Sequence, residues 1–107
     1  MAKDVLTRRN RANDRSVLQH ALMNREFGIA YQPIVDLGDM SLFAREALLR
    51  PTTPSFPSPR EMVRVAVSES RIGELGRQVR RLATRGAGGA RLFVNAHPSE
   101  LDPDDTA

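Results

Sequence analysis

Two short runs rich in apolar and β-branched residues lie almost end to end in this chain. The first is Ile29-Ala30-Tyr31-Gln32-Pro33-Ile34-Val35-Asp36-Leu37 and the second runs from Ser41 to Arg50. Only Gly38-Asp39-Met40 separates them, a gap that suits an antiparallel hairpin and is far too short for a parallel crossover. Pro33 has no N–H for a ladder bond, so the first strand belongs at a sheet edge or at an irregular point. A third run, Arg91 to Ala96, follows only after two helical stretches and stops at His97-Pro98.

The helical stretches have apolar residues on one stripe. Val17, Leu18, Ala21 and Leu22 predict a helix from Asp14, capped by Asn13, Asp14 or Ser16 and ended at Phe27-Gly28. Ser58-Pro59-Arg60-Glu61 is a helix start: Ser58 caps, Pro59 takes the first position, and Glu61 is placed to complete a capping box. Met62, Val63, Ala66 and Val67 form that helix's apolar stripe. Leu75, Val79 and Leu82 predict a further helix from Glu74 to Thr84. Gly86-Ala87-Gly88-Gly89 is a link, without the Lys-Ser/Thr of a phosphate-binding glycine loop. The expected organisation is a flexible basic leader over residues 1–13, one partial α/β domain over 14–101, and an acidic tail over 102–107.

Composition narrows the chemistry. The 107 residues include no Cys, which excludes a thiol nucleophile, a disulfide scaffold and a Cys-ligated metal. Hydrophobic residues make up 40% and charged residues 27%, as in globular proteins. No apolar run approaches the ~20 residues of a membrane span, and no signal-peptide segment opens the chain. A cytoplasmic location is expected. Of the 16 basic residues, Lys3 is the single lysine. Arginine favours bidentate phosphate contacts, but GC-rich coding explains the bias as well. No stacking aromatics or binding motif accompany the charge, so nucleic acid is not expected as a partner.

Period-two alternation along the second strand groups Ala44, Glu46, Leu48 and Arg50 on one face, with Phe43, Arg45, Ala47 and Leu49 on the other. Glu46 is a hard oxygen ligand and Arg50 a phosphate-grade cation, both towards the C-terminal end of the strand. A strand-end ion pair between them is the simpler alternative. Asn95 ends the third strand similarly; its carbonyl oxygen suits Mg²⁺ or Ca²⁺, or else it is a turn residue.

The run Tyr31 to Leu37, then Glu46-Ala47-Leu48-Leu49-Arg50, then Leu92-Phe93-Val94-Asn95-Ala96-His97-Pro98 resembles the first half of an EAL domain. That is the cyclic di-GMP phosphodiesterase family of bacterial signalling. Order and spacing agree from about Asp14 to Leu101. The resemblance implies the N-terminal portion of a modified TIM-type (β/α) barrel, with about three strands and three helices and incomplete on its own. It implies Glu46 and Asn95 as metal ligands, and Gln32, Leu48 and Arg50 as lining residues of the nucleotide pocket, Arg50 against a phosphate. In the family two Mg²⁺ or Mn²⁺ ions activate the water that opens cyclic di-GMP to pGpG.

Three departures accompany the match. The family's A-E-E-x-G-L-I pattern is replaced by Ala66-Val67-Ser68-Glu69-Ser70-Arg71-Ile72, which bears on how a helix ends rather than on chemistry. His97 stands where the family usually has Ser, and a hydrogen-bonding or exposed role is expected for it rather than metal ligation. Most of all, such barrels take ~250 residues. The family's later metal-binding acids and catalytic Lys have no counterpart here, and Asp104-Asp105 lacks the strand that would precede the family's Asp-Asp motif.

Two readings lead, with an Arg-rich nucleic-acid binder, supported by charge alone, a distant third. In one, the chain is the N-terminal part of a cyclic di-GMP phosphodiesterase, inactive alone, not binding its two ions tightly, with sensory or diguanylate cyclase domains in a longer parent. In the other, it is a non-catalytic EAL-derived regulatory or interaction module that forms a homodimer to pair its exposed sheet edge.

Overall fold

The computed structural model describes residues 2–101, and the side chains of residues 12–100. Its order is α1 (Ala2–Asn24), β1 (Phe27–Val35), β2 (Leu42–Pro51), α2 (Pro59–Ser68), α3 (Ile72–Gly86), β3 (Leu92–Val94) and a short 3₁₀ turn, Pro98–Leu101. This is an α/β arrangement, compatible with part of a (β/α) fold. The acidic tail expected over 102–107 lies outside the described residues.

The hairpin forms as its spacing requires. β1 and β2 pair antiparallel from Phe27↔Pro51 to Val35↔Leu42, and β2 pairs parallel with β3 from Arg45↔Leu92 to Ala47↔Val94. The sheet order β1-β2-β3 leaves β1 at an edge, where Pro33 is tolerated. The hairpin loop is held by Asp36, whose Oδ1 accepts from the Gly38 N–H at 2.7 Å. Asp39 accepts from both the hydroxyl and the backbone N–H of Ser41, at 2.7 and 3.0 Å. The Ser41 hydroxyl holds the Asp39 carboxyl below its ordinary range.

One face of the sheet packs on the helices. Leu18, Ala21 and Leu22 of α1, Met62, Val65 and Ala66 of α2, and Ile72, Leu75 and Val79 of α3 form the core with Phe27 and Phe56. Ile29, Leu49 and Val94 bring the three strands onto it. The C-terminal turn of α3 is stapled to the hairpin: the Tyr31 hydroxyl donates to the Ala83 carbonyl at 2.8 Å and Arg45 Nη1 to the Ala87 carbonyl at 3.0 Å. A cation at that helix end also complements its dipole.

Several expectations are corrected. α1 begins at Ala2, well before Asp14: Ala2, Lys3, Leu6, Arg8, Arg9, Arg11 and Ala12 are good helix formers, and propensity extends the helix where no apolar stripe marks it. α1 stops at Asn24, and Phe27-Gly28 opens β1 instead of ending the helix. The stop is a left-handed residue, Arg25 at φ 50°, with the Glu26 N–H bonded to the Ala21 carbonyl at 2.9 Å.

The capping box of α2 is only half formed. Ser58 Oγ accepts from the Glu61 N–H at 3.2 Å, but the Glu61 carboxylate turns to Arg64, at 2.8–3.1 Å. A charged partner one turn on outcompetes the neutral N–H. α3 begins at Ile72 rather than Glu74, with Glu74 bonded back to the Arg71 guanidinium at 2.7 and 2.9 Å.

Between α2 and α3 the helix ends in a Schellman motif. The Arg71 N–H bonds the Ala66 carbonyl at 2.7 Å, and the Ser70 N–H bonds the Val67 carbonyl at 3.1 Å. Ser70 itself sits at φ 57°, a conformation glycine adopts without strain. The missing family glycine is therefore replaced in sequence and not in geometry.

Candidate functional site

Strand pairing places four of the five candidate residues on adjoining rungs of the sheet face that points away from the helices. Gln32 of β1 stands directly opposite Glu46 of β2, and Phe93 of β3 flanks Glu46 on its other side. One rung on, Ala30 is opposite Leu48, and a further rung pairs Gly28 with Arg50. Asn95 follows Val94, the partner of Ala47, and so lies at the level of Leu48 just past the end of β3. Because β2 and β3 are parallel, Leu48, Arg50 and Asn95 collect at their shared C-terminal end.

A cleft of about 400 Å³ opens there between the strand ends and helices α2 and α3. Leu48, Arg50 and Asn95 line it, over an apolar floor that includes Val63, Leu75 and Val79. Gln32 and Glu46 do not line it; they sit on the open sheet face beside it. Arg60, His97 and Glu100 also line the cleft, and sequence reasoning had not assigned them to a site. Arg60 follows the Pro59 start signal of α2, so its position at the mouth was legible only once α2 had been placed against β2.

Arg50 is exposed, and its Nη1 donates to the Leu49 carbonyl at 3.2 Å. No ion pair joins it to Glu46, so the strand-end salt bridge does not form; the described ion pairs lie elsewhere in the molecule. Glu46 is half-buried, with Gln32 and Phe93 as its register partners on the two flanking strands. His97 has a defined hydrogen bond: its Nδ1 accepts from the Ser99 N–H at 3.1 Å. His20 is on the surface, 2.8 Å from Glu26.

Alternation fails at one point. Between Ile34 and Val35 the register slips: Ile34 pairs with Ala44, but Val35 pairs with Leu42, leaving Phe43 as the extra residue of a β-bulge. The bulge turns Phe43 from the Arg45 face to that of Phe93, with ring centroids 6.5 Å apart. The Arg91 guanidinium lies 4.5 Å over the Phe43 ring. An aromatic cluster thus borders Glu46 at the N-terminal end of the same face.

Glu46 and Asn95 are oxygen donors, the kind that hard cations such as Mg²⁺ and Mn²⁺ take. In number they fall short of a shell of about six. Among the described residues no group of three or more His, Cys, Asp or Glu is placed to hold an ion. The donors fit in kind and not in count, and no hydrolytic step follows from them alone.

The fold and face define an α/β protein with polar residues gathered where parallel strands end. A family model for the EAL domain matches residues 15–105, and the chain belongs to this family, the cyclic di-GMP phosphodiesterases. Comparison with curated proteins and with solved structures returned no match. The family binds cyclic di-GMP and is generally metal-dependent. No helix among the described residues is long and apolar enough to cross a membrane.

Proposed function

We propose that this chain is the N-terminal part of a cyclic di-GMP phosphodiesterase domain, with its barrel portion over residues 14–101. It carries part of the nucleotide site and is not sufficient for hydrolysis. The observation that supports this reading is the convergence of Leu48, Arg50 and Asn95 on one cleft at the C-terminal ends of parallel strands, where (β/α) barrels assemble their sites. In this reading Arg50 receives a phosphate of the dinucleotide, its outward donors matching a phosphoryl group better than a neutral ring. Leu48 offers an apolar wall and Gln32 an amide on the neighbouring strand. Glu46 and Asn95 contribute two donors to a Mg²⁺ or Mn²⁺ shell that other residues must complete. When bound, such ions neutralise phosphoryl charge and acidify water. A soluble second messenger as ligand places the protein in the bacterial cytoplasm.

The test is calorimetry with cyclic di-GMP in the presence of Mg²⁺, on wild type and Arg50→Ala. Weak binding that Arg50→Ala abolishes supports the reading. Equal heats for both proteins count against it.

A second reading has its own observation. Among the described residues β3 is an unpaired edge of three residues, and Phe43 and Phe93, both nearly half exposed, lie on the open face beside it. Exposed aromatic surface next to a free edge suits self-association. In that reading the chain is an EAL-derived interaction module working as a homodimer. Sedimentation of wild type against Phe93→Ser separates the two: a dimer that the substitution dissociates favours the module.

A further inference from the structure

Glu100 is nearly sealed from water, its side chain only 6% exposed, yet it carries a carboxylate. Both of its oxygens are held. Oε1 accepts from Arg80 Nη1 of α3 at 2.6 Å, and Oε2 accepts from the His97 backbone N–H at 2.7 Å. The Glu100 N–H donates to the His97 carbonyl at 2.8 Å, while the Ser99 N–H reaches His97 Nδ1. The 3₁₀ turn after β3 is thereby closed on itself and tied to α3 through one side chain.

The helix is shaped to accept it. Gly76 lies one turn before Arg80 on the same side of α3, and a Cβ there would overlap the Glu100 carboxylate. Glycine is a poor choice inside a helix, and here its lack of a side chain makes the slot. Burying a carboxylate is unfavourable unless it is paired and hydrogen-bonded. A surface glutamate left in water would avoid that cost altogether, so the arrangement favours fixed geometry over ease of solvation.

What the clamp fixes is the turn that begins at Asn95. The Asn95 side chain makes no hydrogen bond among the described residues and is exposed, so its amide takes its position from the backbone that carries it. We infer that Glu100 is a positioning residue: clamped by Arg80 in the slot at Gly76, it holds the β3 turn so that Asn95 stays at the level of Leu48 beside Glu46. The inference rests on the reading of Asn95 as an ion ligand, and gives that ligand the support its exposed position lacks.

The test uses the full ¹⁵N-labelled chain, with Mn²⁺ as the probe, in wild type, Glu100→Ala, Glu100→Gln and Gly76→Ala. In wild type, Mn²⁺ broadens the Asn95 side-chain amide together with amides near Glu46. In Glu100→Ala and Gly76→Ala the Asn95 broadening is lost while that near Glu46 persists. Glu100→Gln keeps the size and one acceptor and is intermediate. Amide exchange gives a second readout: release of the clamp speeds exchange at Ser99 and Glu100 by about tenfold or more, with the β1–β2 ladder unchanged. Gly76→Ala is the sharper variant, because helix propensity alone would make it stabilising.

Unchanged broadening at Asn95 in both Ala variants overturns the inference. So does exchange that speeds equally through the β1–β2 ladder, which is general destabilisation. If Mn²⁺ leaves Asn95 untouched in wild type, the ion-ligand reading falls and the positioning role with it. The exchange measurement then still shows whether Glu100 holds the turn.

Discussion

Gln32 and Glu46 face each other across the β1–β2 ladder, register partners on the sheet face turned away from the core. The cross-strand neighbours of Glu46 are therefore the uncharged Gln32 and Phe93, and Arg50, four residues further along β2, forms no ion pair with it. Nothing among the described residues uses the charge of Glu46 to hold the fold. Glu46→Gln is accordingly expected to change unfolding free energy by less than about 0.5 kcal/mol. In a complete domain containing this segment, the same substitution is expected to abolish hydrolysis. A loss of stability beyond that bound in urea titrations, or full activity of the variant, would remove Glu46 from the site.

Residues 1–107 alone are expected to show no hydrolysis of cyclic di-GMP with either Mg²⁺ or Mn²⁺. Two oxygen donors leave most of an ion's shell to water, and two ions need more still. Chromatographic detection of pGpG checks this. Turnover that grows with the square of protein concentration would mean that a second copy supplies the missing donors.

Ser70 occupies the left-handed position of the α2 Schellman motif, where a side chain is strained. Ser70→Gly relieves that strain and adds entropy to the unfolded chain, so the net gain is small, about 0.5–1 kcal/mol. Thermal unfolding should rise by a few degrees. A fall would show that the Ser70 side chain contributes something the backbone geometry does not reveal.

Leu75 is 1% exposed at the centre of the helical core. Leu75→Ala is expected to cost about 2–5 kcal/mol, a large part of the roughly 5–15 kcal/mol typical of a domain. A lower denaturation midpoint with an unchanged slope is the expected signature.

Acid should weaken the start of α2. Hydrogen bonds from Arg64 hold the Glu61 carboxyl below its ordinary 4.5. With the folded value below the unfolded one, this contribution is complete above pH 4.5 and is lost as pH falls through the folded value. Glu61→Gln removes it at every pH. The stability gap between wild type and variant should thus be present at neutral pH and close on acidification; a gap that widens in acid would reverse the sign of the argument.

Much of this architecture was legible because local signals agreed. The gap at Gly38-Asp39 specified the hairpin, Ser58-Pro59 the start of α2, and Pro33 the edge. The sharing of one sheet face by Glu46, Leu48 and Arg50 followed from period two, whereas Gln32 joins them only through the register of β1 on β2. Phe43 broke that rule because a bulge carries no marker when its extra residue is not glycine. The early start of α1 was missed because propensity without an apolar stripe gives no periodic signal. Glu100 was missed for a different reason: a Glu in a turn looks solvated until Arg80 and Gly76, 20 and 24 positions earlier, are brought beneath it. Arg60 entered the cleft in the same way, through packing between distant segments.

The most direct test of the central claim is an NMR titration of the ¹⁵N-labelled chain with cyclic di-GMP in the presence of Mg²⁺. The method registers even weak binding and locates it. The account predicts shifts concentrated at Leu48, Arg50 and Asn95, absent in Arg50→Ala. Shifts confined to other surfaces, or none at millimolar nucleotide, would contradict the assignment of this cleft to the dinucleotide.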